Sequence, residues 1–381
     1  MNASNRKPRI ALLGTGVLGG GSLGQGVPVV ANLFKRLSLQ YDIVYYSYVP
    51  IDTTQIPAAI KVRQPVRWRL PGRVKYFCLT LRCAWDHLFR PFDIIFAVSV
   101  YPTGWYALLL RRLIRKPLVV QLIACEAAAL PDIGHGNLII PWLAEITRRV
   151  CAQTDELVTI SDFQKEVALR SLPTTRKINT LILGIDSKKF PYHQREISLP
   201  VQFLHIAYLS PIKDQETMFK TFSIISKSVA CRLTVIGDGY NIPRVRQLLE
   251  TLNIENLVDF EGAIAQEKIP ACFQKAHILL HTSRFEGSCA VVEEAMTSGV
   301  VVCGTAVGML ADVGERLAVV AAPGDAEGLA ERTLQLIADP LRYNMLGREA
   351  RQYVLSYNAD WAAENYRLFI DSMISKGNVG K

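Results

Sequence analysis

The eight cysteines of this 381-residue chain include no C-x-x-C pair. Scattered as Cys78, Cys83, Cys125, Cys151, Cys231, Cys272, Cys289 and Cys303, they argue against a disulfide framework and a zinc site and suit a reducing compartment. Long apolar runs are also missing. The two longest, near 92–110 and 117–130, are interrupted by Asp93 and Pro102 and by Glu126, so neither reads as a membrane-spanning helix. Arg6, Lys7 and Arg9 precede an apolar stretch, as in a signal peptide, but glycines break that stretch and no small-residue cleavage site follows. There is no repeat of solenoid period and no low-complexity tract. The expectation is a cytoplasmic protein.

What is present is an α/β pattern. Half of the residues are hydrophobic, with Val, Ile and Leu in short runs that suit buried parallel strands. The length exceeds what one hydrophobic core usually serves, which predicts two domains. Strand signals at "RIALLG", "DIVYYSYV", "FDIIFAVS", "PLVVQLIA", "ELVTIS" and "INTLILG" alternate with helical patterns. A polar, proline-bounded stretch, "IDSKKFPYHQREISLP", reads as a linker. A second series follows: "VQFLHIAYLS", "CRLTVIG", "LVDFEG", "HILLHTS", "VVVCGT" and "LAVVAA". The expected organisation is a first Rossmann-like domain over 1–190, a second over 200–356, and a C-terminal helix over 357–381. That helix spaces Trp361, Tyr366, Phe369, Ile370 and Met373 along one side and is expected to pack back on the first domain.

Charge divides along the same line. Residues 1–195 carry 26 Lys and Arg against 12 Asp and Glu, a net of +14, and the remainder 17 against 22, a net of −5. A basic first domain is expected to meet something anionic. The densest region, 61–90, interleaves Lys61, Arg63, Arg67, Arg69, Arg73 and Lys75 with Trp68, Tyr76, Phe77 and Trp85. No helix-turn-helix, zinc-finger or RNP pattern accompanies it, so nucleic acid is not the expected partner. Basic and interfacial aromatic residues together suit an anionic membrane surface. The plainer alternative is a helix that packs Leu79, Leu81 and Leu88 inward and solvates a basic face.

Glycine is concentrated near the start. Gly14, Gly16 and Gly19 spell G-x-G-x-x-G after an apolar strand, the outline of a dinucleotide fingerprint. The rest of that fingerprint is lacking. No amphipathic pattern begins before Val27, and the second strand has no carboxylate at its C-terminal end, the nearest being Asp52. A long open loop that includes Gly21, Gly24 and Gly26 is expected instead, where backbone approaches a ligand closely.

The most informative stretch is "HTSRFEGSCAVVEEAMTSGVVVCGT", residues 281–305. A strand ends, a short loop carries Glu286 and Gly287, and a helix of about ten residues stops at Gly299, a C-cap. Its start, around Ser288, Cys289 and Ala290, presents backbone N–H groups suited to an anion. Glu286 stands beside that start and Glu294 lies eight residues later. A dipole for phosphates with carboxylates for hydroxyl groups suits a sugar nucleotide. Glu293 is expected to be solvated, and His277 and His281 to be core or rim residues of one strand.

This stretch resembles the donor site of the retaining, GT-B fold, group 1 glycosyl transferases. Their E-x7-E pattern, followed by A-M-x-x-G and a strand, is matched by Glu286, Glu294, "EAMTSG" and "VVVCGT". "LVTISDFQKEVAL", "INTLILGIDSKKF", "FLHIAYLSPIKDQETMF" and "VVAAPGDAEGLAERTLQLIADP" resemble further segments in the family's order. The resemblance implies two doubly wound domains facing across a cleft, and transfer of a sugar with retained configuration from a nucleoside diphosphate sugar. It implies a glycan or lipid-linked acceptor; together with the composition and the basic first domain, the expectation is a cytoplasmic enzyme, peripheral at the inner membrane face. By the same resemblance Glu286 lies against the transferred sugar, Glu294 holds the ribose hydroxyls and Lys213 meets the diphosphate. Gly287, Ser288 and Cys289 form the phosphate-side turn, and Gly21, Gly24 and Gly26 line the donor cleft. No cofactor or metal is implied, and the chain contains no D-x-D.

Two positions depart from the family. Ala207 and Tyr208 stand where it has glycine and arginine, leaving Arg284, two residues before Glu286, to compensate, and Ile123 stands in the register of a sugar-side histidine. Glu126 and His135 are the candidates to replace the latter. These departures keep open a non-catalytic sugar-nucleotide-binding partner or sensor of the same fold, and a sugar-nucleotide epimerase.

Overall fold

The computed structural model describes residues 6–20, 26–54, 56–65, 71–172, 177–239 and 242–379. Two compact units emerge, Met1–Leu183 with Ala359–Lys381, and Gly184–Asn358. The first holds a seven-stranded sheet of β1 (Arg9–Gly14), β2 (Asp42–Ser47), β3 (Lys61–Arg63), β4 (Ile94–Val98), β5 (Leu118–Gln121), β6 (Glu156–Thr159) and β7 (Ile178–Thr180). Its order is β3-β2-β1-β4-β5-β6-β7, and the pairings are all parallel. Every residue of β1 and β4 is buried, as a sheet with helices on both faces requires. The two-residue period sorts them: Ala11, Leu13, Ile95 and Ala97 join one core, Ile10, Leu12, Ile94 and Phe96 the other.

Three helices matter here: α1 (Pro28–Leu37), α2 (Gly72–Phe89) and, in the second unit, α3 (Gln215–Ser226). No helix opens inside G-x-G-x-x-G, since α1 starts only at Pro28. The glycines instead hold a tight loop against the segment after β2. Gly19 has φ +70°, and a Cβ there would lie 2.1 Å from the Asp52 carbonyl oxygen. The Asp52 carboxylate itself accepts bonds from the Thr54 N–H and hydroxyl. Gly26, also at positive φ, would drive a Cβ into the Val17 carbonyl oxygen. Gly21 and Gly24 lie outside the described residues, as do Arg67, Trp68 and Arg69.

The basic region departs from the plainer alternative, an ordinary inward-packed helix, in two ways. Lys61–Arg63 forms the edge strand β3, and α2 buries Leu79 and Cys83 but leaves Leu81 and Leu88 exposed. Its inward face is set by Tyr76, Thr80 and Cys83 rather than by the leucine spacing.

The second unit repeats the plan with β8 (Val201–Ile206), β9 (Cys231–Ile236), β10 (Val258–Gly262), β11 (Ile278–His281), β12 (Val301–Thr305) and β13 (Val319–Ala321). All pairs are again parallel, in the order β10-β9-β8-β11-β12-β13. Strand order therefore reverses between β8 and β11. Such a switch point opens a crevice at the strand C-termini, where connections diverge to opposite sheet faces.

Two more helices complete the frame: α4 (Ala290–Ser298) after β11, and α5 (Ala359–Val379) at the chain end. Helix α5 packs in the first unit. Tyr366, Ile370 and Met373 enter its core, the Tyr366 hydroxyl donates to the Leu181 carbonyl, and Asp360 pairs with Arg36 at 2.7 Å. Trp361, expected on the same inward side, stays at the surface.

Candidate functional site

The switch point of the second sheet gathers the chemistry. The loop after β8 delivers Lys213 and the loop after β11 delivers Glu286. Their side chains meet, Lys213 Nζ to Glu286 Oε1, at 2.5 Å. Several contacts hold the two loops together. The Arg284 N–H donates to the Ile212 carbonyl at 2.7 Å, and the Thr282 hydroxyl donates to the carbonyls of Lys213 and Asp214. Asp214 then caps α3 by accepting from the Thr217 N–H and hydroxyl, which anchors the turn that carries Lys213.

Three groups converge on Glu286 Oε1. Besides Lys213, the Ser283 hydroxyl donates at 2.6 Å and His281 Nε2 lies 3.4 Å away. Burial alone would raise the Glu286 carboxyl, but the Lys213 charge, helped by His281, overcomes it and holds the group well below the ordinary carboxylate range. His281 ends β11, 2 % exposed, and His205 of β8 is buried beside this region with Nδ1 2.9 Å from the Leu280 carbonyl oxygen. Burial lowers His205 to about 4, so it is neutral at physiological pH.

Cys289 leads into α4 at φ +105°, a left-handed conformation costly for a residue with a Cβ. Its Sγ lies 3.3 Å from His281 Nε2, and burial raises its thiol pKa. No side chain caps α4; within its first turn the Val292 N–H donates to the Cys289 carbonyl, and the uncapped helix start is the kind of place that suits an anion. Gly308 packs this turn from outside: a Cβ there would lie 2.4 Å from the Ser288 carbonyl oxygen, which accepts from the Met309 N–H. At the other end Gly299 closes α4 at φ +80°.

Glu293 is not solvated. It is buried and accepts from the Ser288 hydroxyl at 2.9 Å, so it fastens the turn that precedes its own helix. The 3.6-residue period places it away from Glu294, but that other side of α4 is protein interior as well. Burial raises Glu293 to about 7, and burial together with the Glu293 charge raises Glu294 to about 8. Both folded values exceed the ordinary 4.5, so this pair supports folding fully below about pH 4.5 and less as pH rises through 7 and 8. The melting temperature is expected to fall between about pH 5 and 8.5, and Glu293→Gln to recover on the order of 2 kcal/mol near the upper limit. Thermal melts across that range check it, and an unchanged slope in the variant contradicts it.

The remaining sequence candidates sit as follows. Arg284 lies 3.7 Å from Asp214, and Tyr208 is 58 % exposed on the loop after β8. His277 Nδ1 accepts from the Gln202 N–H, a structural task. In the first unit Glu126 folds back on its own loop, accepting from the N–H groups of Ile123 and Ala124, and His135 sits on an exposed turn. The sequence reading missed His281, Ser283 and Glu293 as members of this cluster. The available signal was the strand-terminal position of "HTS", where α/β sites collect.

Residues 193–353 match the family model described as "Glycosyl transferases group 1". The chain is similar to the N-acetyl-alpha-D-glucosaminyl L-malate synthase of Bacillus anthracis, 29% identical over 153 residues, 40% of each chain. It is also similar to the 2-deoxystreptamine N-acetyl-D-glucosaminyltransferase of Streptomyces fradiae, 27% identical over 337 residues, 80% of this chain and 76% of that one. The first three curated relatives are spanned over 40, 56 and 51% of their own lengths, about half. Among solved structures, Anabaena HepE in complex with UDP-glucose superposes with a TM-score of 0.76 at 15% identity, over 96% of this chain and 99% of that one. Identity that low shows the fold alone, the GT-B type.

Proposed function

We propose that this chain, whose residues 193–353 match the group 1 glycosyl transferase model, transfers a sugar from a nucleoside diphosphate sugar to a glycan or lipid-linked acceptor, with retention of configuration. The observation that carries this reading is the Lys213–Glu286 pair at the β8/β11 switch point, beside the uncapped start of α4. In this reading Lys213 turns from Glu286 to the diphosphate as the donor enters. Charge that grows on the leaving diphosphate then meets an ammonium and the N–H groups of the turn Gly287–Cys289, already in place. Glu286 lies against the transferred sugar, accepting from its hydroxyl groups. Glu294 accepts from the ribose hydroxyls, and Arg284 and Tyr208 flank the donor. An anionic membrane surface presents the acceptor.

UDP-glucose in the HepE complex supports the donor class. The test is a thermal-shift panel with UDP, GDP, ADP and NAD on wild type and Glu294→Ala. A ligand at 100 times its dissociation constant adds about 2.7 kcal/mol, a shift on the order of 5 °C for a unit of this size. One nucleoside diphosphate is expected to stabilise the wild type and to lose its effect in the variant. Stabilisation by NAD alone overturns the reading. Retention is read from the anomeric configuration of the product.

A further inference from the structure

Helix α2 turns an apolar stripe to solvent. Val74, Phe77, Leu81, Trp85 and Leu88 follow the i, i+3, i+4 spacing of a single helix face, and Phe89 adjoins them; all six are between 42 and 73 % exposed. This face lies opposite the one that buries Leu79, Thr80 and Cys83. Side chains in such numbers on one outward helix face mark a contact surface. Trp85 and Phe89 also pack on each other, ring centroids 5.2 Å apart, so the stripe is shaped before any partner arrives.

The stripe ends at a cavity of about 660 Å³ whose lining includes Phe89. Arg6, Lys7, Arg9, Lys61 and Arg90 also line it, with Asp42 the one acidic residue among the lining groups. Three of those cations share Asp42, at 3.2 Å from Arg9, 3.7 Å from Lys61 and 3.1 Å from Arg90, while Arg6 pairs with Asp93. Five positive charges against two carboxylates leave an excess that favours an anion. Arg9 begins β1, Asp42 begins β2 and Lys61 begins β3, so the cavity lies at the strand N-termini. That is the end of the sheet opposite the one where α/β folds collect substrates.

Charge decides what covers the stripe. The one acidic residue of α2, Asp86, is drawn inward by the Tyr46 hydroxyl, Arg63 and Arg82. Exposed Arg73, Arg82 and Arg90 flank the apolar face. A second copy placed symmetrically on this surface would set like charges against one another. An anionic bilayer satisfies both halves: the acyl boundary takes Trp85, Leu88 and Phe89, and headgroup phosphates take the cations. We infer that the outward stripe of α2 and the basic cavity at its C-terminal end form one docking surface for an anionic lipid bilayer, with the cavity holding a headgroup phosphate.

This surface rests on the membrane part of the proposed function and not on the transfer chemistry. The experiment is co-sedimentation of the full chain with neutral phosphatidylcholine vesicles and with vesicles one-third phosphatidylglycerol, at low and high salt. Binding is expected on the anionic vesicles and to weaken with salt. Trp85→Ala/Leu88→Ser, both exposed, is expected to lose about tenfold or more in partitioning at low salt. Lys61→Gln/Arg90→Gln is expected to lose roughly fivefold per charge and to flatten the salt dependence. Melting temperature and nucleoside diphosphate shift are read on the same variants and should stay unchanged, which separates docking from the donor site. No binding to anionic vesicles at low salt overturns the proposal, and so does undiminished binding of the stripe variant. A soluble dimer that Leu88→Ser abolishes, without vesicle binding, assigns the stripe to a second copy and overturns it as well.

Discussion

Glu286→Gln is expected to lower the turnover number about 100- to 1,000-fold while nucleoside diphosphate still binds and the fold persists. Glutamine keeps the volume and one acceptor oxygen, so the Ser283 hydroxyl retains its partner. What it removes is the negative charge that the site works to preserve. Inside the switch-point crevice burial opposes that charge, and Lys213 and His281 overcome the opposition. A carboxylate kept ionised at such a place is poised to interact with a substrate whose charge changes during reaction. Steady-state kinetics with the donor found in the thermal-shift panel is the check. Turnover within threefold of wild type would remove Glu286 from the site.

Lys213→Met is expected to have the second-largest effect, on donor binding and on stability together. The variant leaves Glu286 partly buried without its counter-charge, at a cost of about 2–3 kcal/mol, toward the lower end for broken pairs because both side chains keep some exposure. The pH dependence identifies the cause. In the wild type the Glu286 carboxyl sits below its ordinary 4.5, so its contribution is complete above that value and disappears as pH falls further. Without Lys213 the carboxyl is no longer held down, so the difference in melting temperature should narrow from about pH 5 to pH 3. Lys213→Arg, which keeps the charge, should restore most of the stability. Its changed reach and fork geometry should restore less of the turnover. A stability difference that stays constant with pH would assign the loss to packing rather than to the ion pair.

The candidate site was legible where spacing carries chemistry. Glu286 and Glu294 bracket a helix start, and the glycine at 299 ends that helix, all within one contiguous stretch. Lys213 entered through the order of segments in the family resemblance, 73 residues from the carboxylate it touches. His281, Ser283 and Glu293 were not assigned because their roles depend on direction. A strand-end histidine points to core or crevice according to which strand lies beside it. Glu293 is fastened to Ser288 only because both faces of α4 are covered.

By itself the sequence determined the alternation of strands and helices, the two parallel sheets and the E-x7-E stretch of the candidate site. These follow from local periodicity, from apolar runs that must be buried on both faces, and from residues close in the chain. Tertiary structure alone decided the rest. It placed β8 beside β11, which brings Lys213 to Glu286, and it returned α5 to the first unit through Tyr366. It also turned Leu81 and Leu88 of α2 outward, against the inward packing that leucine spacing suggested. The reason is common to all three. Which apolar face is buried, and which distant groups meet, depends on neighbours supplied by other parts of the chain, and no periodicity within one segment encodes them.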